Sequence, residues 1–94
     1  HYQVIVNFNY LERALFPTIA RALAPGGLLF FETFSRDQIE LFESKIRPRY
    51  TLEHNELLRA FLDLHVLHYR EGIHWEASRE RQRAVASLVA RREA

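Results

Sequence analysis

The chain has no cysteine and no methionine, and only one lysine, one tryptophan, three glycines and three prolines. Without cysteine there is no disulfide framework, no thiolate metal site and no cysteine nucleophile. The sequence carries no run of about 18 apolar residues and no signal-peptide pattern at its start, so a cytoplasmic location is the default expectation. A net charge of +1 supplies no overall field for nucleic acid or a membrane surface. The near-absence of lysine beside twelve arginines reads as codon or lineage bias, or as thermal adaptation. The lack of methionine, with His1 standing directly before a buried-type strand, is what a piece of a longer protein shows.

What is present suits one soluble domain, 1–94: 94 residues, 48% apolar and 27% charged. A domain this small buries only about 60–65% of its extended-chain surface, so its stability margin is thin. The stretch that organises the chain is Leu23-Ala24-Pro25-Gly26-Gly27-Leu28-Leu29-Phe30-Phe31-Glu32-Thr33-Phe34. Pro-Gly-Gly reads as a helix stop, because glycine takes positive φ freely and proline cannot continue a helix. Leu28 to Phe31 does not alternate, which predicts a strand covered on both faces, as in a parallel α/β sheet. On that reading an aspartate at Leu28 or Phe30 enters the core and prevents soluble expression.

Val4-Ile5-Val6 within Gln3 to Phe8 predicts a second buried strand. Leu11, Leu15, Ile19 and Leu23 recur every four residues. A turn over 10–13 and a helix over 14–24 place Pro17 in the first turn, where its missing N–H is harmless. Strand, helix, strand then implies adjacent parallel strands with a right-handed crossover. Ser35 and Gln38 resemble a capping box opening a helix to about Ser44, with Ile39 and Phe42 inward. Lys45 to Tyr50 is a loop, since Arg47 precedes Pro48. Thr51 is placed to cap a helix over 52–61 with Leu57, Leu58 and Phe61 as its apolar stripe. Leu62 to Tyr69 reads as a strand and Glu71 to Arg81 as a polar connection. Arg83 to Arg91 suits a returning antiparallel strand better than a helix.

This order, with Asn-Phe-Asn-Tyr-Leu after the first strand and Arg21-Ala22-Leu23-Ala24-Pro25-Gly26-Gly27 before the second, resembles the C-terminal half of class I S-adenosylmethionine-dependent methyltransferases. Glu32-Thr33-Phe34 and Arg47-Pro48-Arg49 are similar to small bacterial members of the tellurite-resistance type. Nearly the whole chain is covered, with Ala24 where lysine is usual. The resemblance implies half of a doubly wound Rossmann-like α/β sheet: strand-helix-strand, two helices and a terminal antiparallel hairpin. It also implies an activity, methyl transfer to a small molecule from S-adenosylmethionine. The family's glycine-rich cofactor loop and the acidic residue that follows it do not occur here. The chain is thus expected to supply one cofactor wall and part of the substrate wall, and alone to methylate nothing.

By the same resemblance Asn7, Phe8 and Asn9 line the cofactor side and Tyr10 and Leu11 the junction. Glu32 and Phe34 face the substrate, under a loop carrying Arg49 and Tyr50. Methyl transfer needs positioning and at most a base for the acceptor's proton, and Glu32 is the carboxylate at a strand tip. Plainer roles stand beside these: Phe8 and Tyr10 as core aromatics, Glu32 as a structural carboxylate. His65 and His68 form an HxxH pair, but three residues apart on a regular strand they point to opposite faces, so no metal site is expected. Arg79, Arg81 and Arg83 alternate with Glu76 and Glu80 and read as a solvated hairpin. A second function class is an α/β interaction module using the unprotected edge of Val4-Ile5-Val6. That edge has no lysine, proline or charge, and a homodimer built on it, or a complex with the absent half, is the expected partner. Neither nucleic acid nor a membrane is.

Overall fold

A computed structural model describes residues 1–93. Four strands form one mixed sheet: β1 (Tyr2–Phe8), β2 (Leu23–Phe34), β3 (His65–Glu76) and β4 (Arg81–Arg91), in the order β1-β2-β4-β3. β1 and β2 are parallel, with Val4 opposite Leu28 and Val6 opposite Phe30. β4 runs antiparallel to both β2 and β3. The α/β expectation is met, and so is the parallel pairing of the first two strands.

A 3₁₀ turn at Arg13–Leu15 and helix α1 (Phe16–Ala22) bridge β1 and β2, with Pro17 in the first turn. The helix is shorter than 14–24, because Leu23 already pairs with Tyr2 as strand. Pro-Gly-Gly therefore lies inside an irregular strand start rather than at a helix end. Gly26 takes φ 80° and its N–H bonds the Arg92 carbonyl at 2.7 Å. Gly27 allows β1 to approach: a Cβ there would meet the Ala24 and Tyr2 carbonyls at 2.8 and 2.9 Å.

All the helices that pack on the sheet's core side leave its other face bare. The covered face holds Leu29, Phe31, Ala86, Leu88 and Ala90 under Phe16, Leu57 and Phe61. Phe16, Phe31 and Phe61 form an aromatic trio with centroids 5.3–5.9 Å apart. Leu28 and Phe30, on the opposite face, are only partly buried, and their β1 neighbours Val4, Val6 and Phe8 are more than half exposed. The prediction of a strand buried on both faces is thus corrected. A covered and an uncovered apolar strand face read alike in sequence, because only the partner layer distinguishes them. The shortest molecular dimension, 17 Å, fits one sheet and one helical layer.

Further elements also depart from the expected bounds. Helix α2 (Asp37–Phe42) is shorter than 35–44, and no side chain caps it. Ser35 is buried with its hydroxyl unpartnered, and Gln38 Oε1 accepts from the Ala84 N–H at 2.8 Å, so neither forms a capping box. Thr51 donates its hydroxyl to the Pro48 carbonyl, while Leu52 bridges to Ser35 as extended chain. Helix α3 is therefore limited to Glu56–Ala60. β3 runs seven residues and β4 two residues further into the polar stretch than the pattern suggests, turning through Ala77–Arg79. Gly72 sits within β3 opposite Val85.

Candidate functional site

The carboxyl ends of parallel strands are where an α/β sheet gathers ligand-binding side chains. Here the chain leaves β1 through Asn9, a non-glycine residue at φ 58°, a conformation asparagine tolerates. Its N–H bonds the Glu32 carbonyl at 2.9 Å, fixing the two strand tips side by side. Its Oδ1 accepts a short hydrogen bond from Arg83 Nη2. The Asn7 amide donates to the Tyr10 carbonyl at 2.7 Å and closes the turn.

Five of the residues named from sequence come together. Asn9, Tyr10, Leu11, Phe34 and Tyr50, with Thr33 and Ile46, line a cavity of about 210 Å³ at the strand tips. Tyr10 is 56% exposed and Tyr50 42%, whereas Leu11 is buried in the core. Arg49 stacks on the Tyr50 ring at 4.8 Å and donates to its hydroxyl, bordering an adjoining cleft with Leu11 and Arg13. Phe8 is exposed in this chain and lies on the bare sheet face, as does Glu32. Glu32 Oε1 accepts from the Ser87 hydroxyl and lies beside the cavity rather than lining it.

Two features were outside the sequence reading. The first is a second cavity of about 340 Å³ that shares Asn9 and Phe34 with the first and continues along Glu76, Ser78, Arg79, Arg81 and Arg83. Arg83 is not part of a solvated hairpin: it is 6% exposed, lies 4.6 Å over the Phe34 ring and pairs with Glu76 at 3.0 Å. Glu76 also meets Arg81 at 3.1 Å and Arg79 at 3.5 Å. One carboxylate facing three guanidinium groups leaves positive charge in excess. Alternation of Arg and Glu in sequence suggests neutrality, but the strand pairing that brings Glu76 opposite Arg81 shares a single acid among three bases.

The second is Arg13, which holds the covering loop. It donates to Glu56 at 2.6 and 2.9 Å and to the carbonyls of Arg49 and Thr51 at 2.8 and 2.7 Å. Partial burial pushes the Glu56 carboxyl up, but the hydrogen bonds from Arg13 and from the Glu53 N–H outweigh it and leave its pKa below the ordinary value. Nothing in the sequence ties Arg13 to Glu56 across 43 positions.

His65 and His68 differ from expectation in geometry. A bulge between Val66 and His68 puts them opposite Arg91 and Val89, residues of one face, so regular strand alternation does not separate them. Among the described residues no group of three His, Cys, Asp or Glu is placed to hold a metal ion, and no helix is long and apolar enough to cross a membrane.

No protein-family model matches the chain, and no curated protein matches it significantly. Solved structures do share its fold. TehB from Haemophilus influenzae aligns with a TM-score of 0.75 at 17% identity, over 99% of this chain and 36% of that one. A SAM-dependent methyltransferase from Methanosarcina mazei gives 0.66 at 12% identity, over 98% and 59%. A structure concerned with conversion of a disulfide bond into a thioacetal group during echinomycin biosynthesis gives 0.62 at 13% identity, over 99% and 50%. The chain therefore spans 36%, 59% and 50% of the lengths of these three proteins. Identities this low establish the fold: a methyltransferase-like α/β sheet.

Proposed function

We propose that residues 1–94 are the C-terminal portion of an S-adenosylmethionine-dependent methyltransferase of the small bacterial tellurite-resistance type, acting in the cytoplasm on a small molecule. The observation that carries this reading is the meeting of Asn9, Tyr10, Phe34 and Tyr50 in one cavity at the tips of two parallel strands. The residues present fit one wall of a cofactor site. Phe8 and Tyr10 offer exposed aromatic surface for a planar base, while the side chains of Asn7 and Asn9 are committed to hydrogen bonds that shape the turn. When bound, the cofactor supplies an activated methyl group.

The chain's own residues position the acceptor. Phe34 and Tyr50 flank it, Arg49 holds the Tyr50 hydroxyl, and Arg13 fixes the loop that carries both. The positive excess around Arg83 favours an acceptor bearing negative charge. Glu32, oriented by Ser87, is the base in this reading, and an acceptor extending from Phe34 over the bare sheet face reaches it.

A titration of the ¹⁵N-labelled chain with S-adenosylmethionine tests the assignment. Amide shifts confined to residues 7–11 at millimolar cofactor are expected, with no transfer of a labelled methyl group. Shifts elsewhere, or none at 7–11, would refute the wall assignment. Turnover by the isolated chain would show that one wall suffices.

A further inference from the structure

Arg83 is a cation that the fold buries without satisfying. It is 6% exposed, and its Nη atoms reach Glu76 Oε2 at 3.0 Å and Asn9 Oδ1. Its Nε has no hydrogen-bond partner among the described residues. A guanidinium taken out of water is costly unless its charge and its donors are met. Its carboxylate partner is also shared. Arg81 and Arg79 bring their Nε atoms to Glu76 Oε1 at 3.1 and 3.5 Å, so the Nη ends of both make no hydrogen bond among the described residues. Three positive charges against one negative among the lining residues leave two in surplus. The cavity they line, about 340 Å³, has room for an organic ligand rather than a lone ion. Ser78 adds a hydroxyl, and Asn9 and Phe34 continue into the strand-tip cavity with Tyr10 and Tyr50. The arginine-lined cavity is built from the ends of β1 and β2 and the β3–β4 hairpin, strands that pair with one another within the chain.

We propose that the arginine-lined cavity is a subsite for the phosphate of an organic phosphate monoester, whose apolar body enters the strand-tip cavity beside Phe34 and Tyr50. Two features select phosphate over carboxylate. Near neutral pH a phosphate monoester carries about two negative charges, matching the surplus, where a carboxylate carries one. Its three terminal oxygens also suit guanidinium groups that converge from different residues, whereas one guanidinium fork satisfies a carboxylate. On the methyltransferase reading this ligand is the methyl acceptor, and only that word rests on that reading. The binding itself requires the two cavities alone.

Phenyl phosphate is the probe. Titrated into the ¹⁵N-labelled chain at about pH 7.5, where it is a dianion, it should shift amides of residues 76–83 together with those of Asn9, Phe34 and Tyr50. The shifts should saturate at millimolar concentration. Inorganic phosphate, lacking the body, should shift the 76–83 set alone and bind more weakly. Phenyl sulfate and benzoate carry one charge fewer and should each bind about two- to fivefold more weakly. Arg79→Gln and Arg81→Gln, both at exposed positions, should each weaken phenyl phosphate about two- to fivefold with circular dichroism unchanged. Arg83→Lys keeps the charge but loses the planar fork, and should weaken it about tenfold. No shift over 76–83, equal affinity for phenyl sulfate or benzoate, or undiminished affinity when Arg79 and Arg81 are both replaced would each overturn the proposal. Shifts confined to 76–83 with both phosphates would do the same, by removing the body from the strand-tip cavity. The cofactor titration is a separate test. Shifts at 7–11 with S-adenosylmethionine but none at 76–83 with phenyl phosphate would keep the methyltransferase reading and sink this one, and the reverse would do the opposite.

Discussion

Adjacent phenylalanines of β2 provide a sharp test of the one-sided core. Phe31 is 2% exposed and meets Phe16 edge-on and Phe61 at a tilt, at 5.7 and 5.9 Å between ring centroids. Phe30 points to the bare face between Val6 and Val89. Phe31→Asp removes an aromatic whose loss alone costs about 3–5 kcal/mol, and adds the desolvation of a carboxylate among apolar side chains. A chain of this size has about 5–10 kcal/mol of stability in all, so the variant should fail to fold. Phe30→Asp forfeits about 1–2 kcal/mol of ring burial, and its carboxylate reaches water. It should stay soluble and melt cooperatively, some 5–15 °C lower. Circular-dichroism melts of both variants decide the matter. A Phe30→Asp protein that is insoluble or unfolded would mean that both faces of β2 are covered, as the unalternating run Leu28 to Phe31 suggests, and the one-sided architecture would be wrong.

Two other outcomes are expected. Glu56→Gln should remove part of the acid dependence of stability. The folded-state pKa of Glu56 lies below its ordinary value near 4.5, so its contribution, about 0.5–1 kcal/mol for a partly exposed pair, is present above that pH and lost as pH falls through and below it. Urea titrations should show wild type and variant separated at pH 7 and converging as pH falls below the ordinary carboxyl range; a constant gap would refute the role given to Arg13. Gly27→Ala should cost about 1–3 kcal/mol, because the added Cβ meets two backbone carbonyls closer than 3 Å; an unchanged urea midpoint would show that β1 and the start of β2 are not so closely apposed.

The strands were legible where chemistry is local. β-branched residues in β1, and aromatics after Gly26-Gly27 in β2, specify extended chain whichever layer lies above them. Helix ends were less so, since Ser35, Gln38 and Thr51 carry capping chemistry but do not use it on a helix end: Gln38 accepts from the distant Ala84 N–H, Thr51 donates to the nearby Pro48 carbonyl, and the Ser35 hydroxyl is buried without a partner. Gly72 suggests a turn, yet an isolated glycine inside a strand needs only an open flank, and nothing lies within 4 Å of the Cβ it lacks. The site divided along the same line. Asn9, Tyr10, Phe34 and Tyr50 lie at strand tips and in a loop that the topology brings together. Arg83 and Arg13 act through partners 74 and 43 positions away, a distance at which residue patterns carry no signal.

Asn9 shows how local and distant chemistry meet. Among the described residues four non-glycine ones adopt positive φ: Asn9, Glu43, Asn55 and Glu80. Glu43 and Glu80 follow short helices, where a left-handed residue ends the turn, and Asn55 precedes one. Asn9 ends a strand instead, and it is the one of the four that lines both the strand-tip cavity and the arginine-lined one. Its backbone N–H ties β1 to β2 and its side chain receives Arg83 from β4. Backbone held away from its preferred region persists where surrounding contacts over-determine it. Here those contacts are the ones that join the two cavities: an extended conformation at Asn9 would carry Tyr10 away from Phe34 and leave the Arg83 guanidinium without its acceptor. The geometry of both cavities thus rests on a single turn after β1, which contacts from β2 and β4 hold in place.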